Sequence, residues 1–255
     1  MTCRSLRPKL SSYLDGGLEP AEARGVGAHL EGCGPCRAHL DSLRGALDAL
    51  AELPRVAPPE SIAQRVRERL EQELGVKTVL TREDDRLLSL TQRTEIANQM
   101  DGDLFISIHC NSWFSEETGG FEAYFLSPAK TDYDRAVAAA ENAADEFANV
   151  KSDAGNDIQF ILWDVVQNEF INESSHFAEL VQKAMSDRLE VRNRGVKQAG
   201  FTVLQGARMP AVLIETAFLS NPGEEKLLLT ESFREQVTDG ILEAVRRFRE
   251  RFEQR

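Results

Sequence analysis

Apolar residues recur along this chain in two periods, and the periods separate its helices from its strands. Ile62, Val66, Leu70 and Leu74 fall on one helical face. Ser61, with Gln64 three residues on, makes a capping-box start, and Gly75 marks the end. Leu40, Leu43, Leu47 and Leu50 form a second stripe of this kind, behind a helix that opens at Glu19-Pro20 and runs to about Leu30. Further helices are predicted over Leu90–Met100, the alanine-rich Ala136–Phe147, Ile158–Leu189 as one long or two consecutive helices, and the charge-rich Phe233–Phe252. Short apolar, β-branched runs at Val76–Leu80, Leu104–Ile108, Phe121–Leu126, Phe201–Leu204 and Ala211–Ile214 read as strands. Strands alternating with long helical segments predict an α/β domain, a mixed sheet flanked by helices on both faces. The proline-rich stretch LPRVAPPE, Leu53–Glu60, is the best boundary. It divides a small all-α unit, 1–53, from a linker, 54–60, and the α/β part, 61–255.

Composition narrows the function classes. The net charge is -12 and the pI about 4.9, which argues against nucleic acid or an anionic membrane as an electrostatic partner. The apolar runs are far too short for a membrane span, and MTCRSLRPKL lacks the apolar core of a signal peptide. The expectation is a soluble chain, cytoplasmic as written. Of the four cysteines, three lie in the first 36 residues, so a disulfide framework for the whole chain is not expected.

Those cysteines are the first candidate chemistry. Cys3, His29, Cys33 and Cys36 form C-x25-H-x3-C-x2-C, whose last three members are spaced to reach one tetrahedral ion. A unit this small gains from a structural metal, and the alternative is a set of free thiols in a helical bundle. The second candidate is His109, at the end of the run Leu104–Ile108, together with Glu215, at the end of Ala211–Ile214. Ligands bind beyond the carboxyl ends of strands in open α/β sheets. A neutral imidazole there can hold zinc, and a carboxylate can act as base for the attacking water. The ordinary alternative is a hydrogen-bonded histidine and a salt-bridged glutamate. Cys110 reads as a small buried filler, and His39 and His176 as helix-surface residues. Asn111, opening a polar loop to Gly120 beside the cleft, and Arg194 and Lys197 are the candidate substrate contacts. Arginine can grip a carboxylate with two hydrogen bonds, although both cations also fit ordinary surface charge.

The ordered motifs VLTRED (79–84), LTQRTEIAN (90–98), DLFISIHCN (103–111), GGFEAYFL (119–126), NRGVKQAGFTVL (193–204) and MPAVLIETAFLSNP (209–222) resemble the zinc-dependent N-acetylmuramoyl-L-alanine amidases. The resemblance implies hydrolysis of the amide between N-acetylmuramic acid and L-alanine in peptidoglycan or a muropeptide, with His109 on zinc and Glu215 as catalytic carboxylate. It also implies a periplasmic or extracellular place of action. The family's Gly-His-Gly-Gly loop and following glutamate, which bring two further zinc ligands, have no match here. The domain is therefore expected to be amino-terminally incomplete and its hydrolysis very weak or absent. The competing expectation is a catalytically degenerate, zinc-stabilised binding or regulatory protein. The amino-terminal ligand pattern, with YLDGGLEP at Tyr13–Pro20, resembles the zinc-finger domain of bacterial anti-sigma factors, which implies a sigma factor as partner.

Overall fold

The computed structural model of the protein describes residues 2–53, 60–84, 86–144 and 157–253. It divides into two compact units, Met1–Pro58 and Pro59–Arg255. The predicted linker lies almost wholly outside the described residues, as does most of the polar break predicted over Asn149–Asp157. No helix among the described residues is long and apolar enough to cross a membrane.

The first unit comprises α1 (Cys3–Leu6), a 3-10 turn (Arg7–Lys9), α2 (Leu10–Leu14), α3 (Pro20–Gly32) and α4 (Gly34–Ala51). Pro20 opens α3 and the Gly34-Pro35 pair opens α4, because a proline in the first turn loses no helical hydrogen bond. The core is small: Leu6, Leu10, Val26, Leu30, Cys36 and Leu40. The predicted stripe on α4 is only half used, since Leu40 is buried whereas Leu47 and Leu50 are exposed.

In the second unit, α5 (Ile62–Leu74) starts at the Ser61 and Gln64 capping box and ends at Gly75, whose φ of 63° favours glycine. Next come α6 (Leu90–Gln99), β1 (Phe105–Asn111), β2 (Phe121–Leu126), α7 (Asp132–Asn142) and α8 (Asp157–Ser186). The chain continues with β3 (Asn193–Ala199), β4 (Ala211–Phe218), α9 (Pro222–Leu229) and α10 (Glu231–Glu253). The sheet order is β1-β4-β2-β3, with β1 parallel to β4, β4 antiparallel to β2 and β2 parallel to β3. This is the predicted mixed sheet with helices on both faces. β4 lies between β1 and β2, so all eight of its residues are buried, and its sequence AVLIETAF reads as a continuous run.

Two predicted strands differ. Val76–Leu80 has alternate residues half-buried, yet it joins no ladder. Strand propensity describes fit to a pleated surface and does not supply a neighbour to pair with. Phe201–Leu204 is instead a buried 3-10 turn, and the strand is the preceding polar segment NRGVKQA. A four-residue apolar run cannot by itself distinguish a strand from a buried turn.

The period of two along the strands sorts their side chains between two cores. Val212 and Ile214 of β4 and Phe121 and Ala123 of β2 pack with Phe177, Val181 and Met185 of α8 and Val237, Ile241 and Val245 of α10. Ala211, Leu213, Tyr124 and Phe105 face the other way, onto Leu90 of α6, Val137 of α7 and the Phe201–Leu204 turn. Glu215, two residues beyond Leu213, shares that second face. So do His109 and Glu122, by the same alternation. Register completes the placement: His109 pairs with Glu215 across β1 and β4, and Glu215 pairs with Glu122 across β4 and β2. The three residues form one row across the sheet, under α7.

Candidate functional site

His109 sits within β1 rather than after it, since the strand continues to Asn111. Its Nε2 is 2.8 Å from Ser107 Oγ, two residues back on the same side of the strand. Its Nδ1 is 2.6 Å from Glu141 Oε2 of α7. Each of His109, Glu141 and Glu215 offers one ligand atom, and the three atoms lie within 4.8 Å of one another. Glu215 is fully buried, and neither of its carboxylate oxygens has a hydrogen-bond partner among the described residues. Burial, then the nearby Glu141 and Glu122 carboxylates, pushes its pKa well above the usual carboxylate range.

This set passes a chemical test for zinc. The metal takes imidazole and carboxylate donors at ~2.0–2.2 Å. A metal-ligating histidine normally engages its other ring nitrogen with a polar neighbour, and Ser107 fills that position. A buried carboxylate with no partner is costly, and a cation is what would offset it. Cys110 lies beside Glu215, its Sγ 3.5 Å from Thr216 Oγ1; burial pushes its thiol up, as suits an inert filler.

The four amino-terminal residues also meet. Cys3 Sγ is 3.6 Å from Cys33 Sγ and 3.7 Å from His29 Nε2, and Cys36 joins them within 4.8 Å. Tetrahedral zinc with bonds of ~2.3 Å sets its sulfurs ~3.8 Å apart, so the separations suit a metal cage and are far too long for a disulfide. The backbone N–H of Cys36, then the Cys3 thiol, draws the Cys33 thiol down to about 7. Burial and the neighbouring thiols push Cys36 up to about 11.

Residues 59–247 match the family model of the N-acetylmuramoyl-L-alanine amidases. The chain belongs to this family. Residues 3–37 match a zinc-finger family model, so the chain carries both kinds of domain for which zinc is the implied metal. The amidase AmiA of Escherichia coli K12 is 35% identical over 188 residues, covering 72% of this chain and 65% of AmiA. AmiC of Escherichia coli O6:H1 is 31% identical over 189 residues, covering 73% of this chain and 45% of AmiC. The chain thus spans between about half and two-thirds of the length of these relatives. Among solved structures, the catalytic domain of the amidase CwlV from Bacillus (Paenibacillus) polymyxa is similar at 27% identity and a TM-score of 0.54, over 74% of this chain and 81% of that one. An amidase from Clostridium difficile 630 is similar at 25% identity and a TM-score of 0.55, over 74% and 80%.

In this amidase-family chain the three candidate substrate contacts are turned inward. Arg194 Nε and Lys197 Nζ both reach Glu122 Oε1, the lysine at 2.9 Å. Asn111 is buried, its amide nitrogen 3.4 Å from Glu122 Oε2 and its Oδ1 accepting from the Ser112 N–H. Glu122 also accepts from Tyr124 (2.6 Å) and from Tyr133 of α7 (2.9 Å). Burial alone would raise its pKa; the Tyr124 hydroxyl, with Lys197 and Arg194, outweighs that and holds it below the usual range. Lys197 is held down by burial, against the pull of Glu122.

The residue that sequence reasoning missed is Glu141. It lies on a helix read only as alanine-rich, 32 residues from His109 and 74 from Glu215, and no motif was attached to it. One signal was present: in AVAAAEN, Ala136–Asn142, it is the sole charge in a run of small apolar residues. What the structure adds beside His109 is this carboxylate, which α7 brings to the Nδ1 of the imidazole.

Proposed function

We propose that this chain acts on the amide joining the lactyl group of N-acetylmuramic acid to L-alanine in peptidoglycan, with His109 and Glu141 holding zinc and Glu215 handling the proton. The observation that carries the reading is the buried, partnerless Glu215 carboxylate in register with His109. Zinc bound there would polarise the scissile carbonyl and acidify the attacking water. Glu215 would take a proton from the attacking water and pass it to the departing L-alanine nitrogen, a role that a raised pKa suits. Burial of the carboxylate keeps competing bulk water from solvating it. Catalytic zinc is ordinarily held by three protein ligands, and with Glu215 acting as base this set supplies two. Turnover is therefore low. The test is release of soluble fragments bearing a new L-alanine amino terminus from purified peptidoglycan with zinc added. Slow release abolished by Glu215→Ala supports the reading; no release at any zinc concentration overturns it.

A second reading concerns the amino-terminal unit, proposed as a zinc-stabilised module that docks a sigma factor. The convergence of Cys3, His29, Cys33 and Cys36 supports the metal, and the exposed Leu47 and Leu50 on α4 support the docking. Binding of a labelled recombinant sigma factor, weakened by Leu47→Asp, is the outcome expected; equal binding by the variant counts against that face.

A further inference from the structure

Glu122 is the most heavily engaged side chain near the site, and no step of the reaction uses it. It is a fully buried carboxylate that accepts from three strands and a helix: Asn111 of β1, Tyr124 of β2, Arg194 and Lys197 of β3, and Tyr133 of α7. The charges around it balance. Arg194 and Lys197 face Glu122 and the buried Asp134, whose Oδ1 is 3.9 Å from Lys197 Nζ. The network is therefore closed on itself and leaves no cation to attract a substrate carboxylate. What it does hold is α7. The Tyr133 ring packs on Trp113 at 4.6 Å between centroids, with Lys197 Nζ 3.9 Å and the Arg194 guanidinium 5.0 Å from the ring centroid. At the far end of the helix, Asn142 bonds Gly200 and Thr202. Between these anchors α7 buries Val137 and Ala138 against the sheet, which sets the face it turns inward and leaves its finer rotation to the directional bonds at its ends. Tyr133 and Glu141 are eight residues apart, ~12 Å along the helix. A hydrogen bond to a charged, immobile acceptor at one end thus helps set where the carboxylate at the other end points.

We infer that Glu122 is a positioning residue of the site: through the hydroxyl of Tyr133 it holds α7, and with it Glu141, over the row that carries His109 and Glu215. The inference rests on the reading of His109 and Glu141 as metal-holding groups. Two tyrosines make a matched pair for the test, since both donate to Glu122 but Tyr124 belongs to the sheet and Tyr133 to α7. Tyr133→Phe and Tyr124→Phe each remove one hydroxyl from the same carboxylate. In the full chain, hydrogen exchange of the α7 amides in the absence of metal, zinc affinity beyond the first equivalent, and thermal stability are measured for both. The expected result is that Tyr133→Phe speeds α7 exchange and weakens the second zinc about tenfold, the scale of one hydrogen bond to a charged group. Tyr124→Phe, although it costs at least as much thermal stability, changes both by less than about twofold. Equal effects of the two variants, or no effect of Tyr133→Phe on α7 exchange, overturn the inference. If the wild-type chain binds only one zinc, the metal reading of His109 fails, and the contrast in α7 exchange still decides the positioning role.

Discussion

Among the described residues two clusters could hold a metal, and they are built in opposite ways. Cys3, His29, Cys33 and Cys36 come from 34 consecutive positions of a unit whose described residues form a core of six buried apolar side chains, and their donors are thiolate and imidazole. His109, Glu141 and Glu215 are spread over 107 positions, are brought together by sheet register and a docked helix, and offer mainly oxygen. In the first the metal is asked to stabilise the fold; in the second the fold stabilises an arrangement that costs it energy. A closed four-donor site leaves no coordination position for substrate, whereas a site with two donors and a partnerless carboxylate kept as base does.

The largest effect expected from this difference is on chelation. Structural zinc contributes on the order of 10 kcal/mol to small domains. A strong chelator should unfold Pro20–Gly32 and Gly34–Ala51 while the sheet-containing unit keeps its protected amides, as read by hydrogen exchange. Loss of both units together would erase the distinction between the clusters.

Next in size is Glu122→Gln, which leaves half-buried Arg194 and Lys197 short of a carboxylate. Breaking a buried ion pair from one side costs about 3–5 kcal/mol. The sign with pH follows from its depressed pKa: its stabilisation is complete above the unfolded value of about 4.3 and is lost as pH falls through the lower folded value. Denaturant unfolding of the wild type should weaken across that acid range, and the Gln variant should show a smaller slope there.

Glu141→Ala sharpens the comparison from the other side. Losing a ligand should exceed the 10–100-fold loss typical of outer partners, so affinity for the second zinc should fall more than about 100-fold. Cys33→Ser should leave that second affinity unchanged. Titration with a chromophoric zinc competitor distinguishes the two.

The smallest effect is Glu215→Gln in metal-free protein, where removing a desolvated, partnerless charge should stabilise by ~1–2 kcal/mol. With zinc in excess the advantage should shrink, because the cation held by His109 and Glu141 offsets the buried wild-type carboxylate but gains nothing from the neutral amide. A variant less stable than wild type without metal would mean that the carboxylate has a partner after all.

Local spacing was enough for His29, Cys33 and Cys36 because they flank the single junction between α3 and α4: a C-x2-C pair one turn from a histidine can be read without knowing the fold. The helices bounded by Ser61 and Gly75, and by Pro20, were equally legible, since capping and left-handed ends are decided by neighbouring residues. The apolar runs ending near His109 and Glu215 indicated two buried strands, and the motif order indicated the family. Sequence alone did not distinguish the polar edge strand Asn193–Ala199 from the apolar turn at Phe201–Leu204, because pairing depends on what lies alongside. Nor could it place Glu141 on His109, or close Arg194 and Lys197 onto Glu122. Those contacts join residues 32 to 75 positions apart, and their distances are set by strand register and by the rotation of one docked helix, quantities that no local pattern encodes.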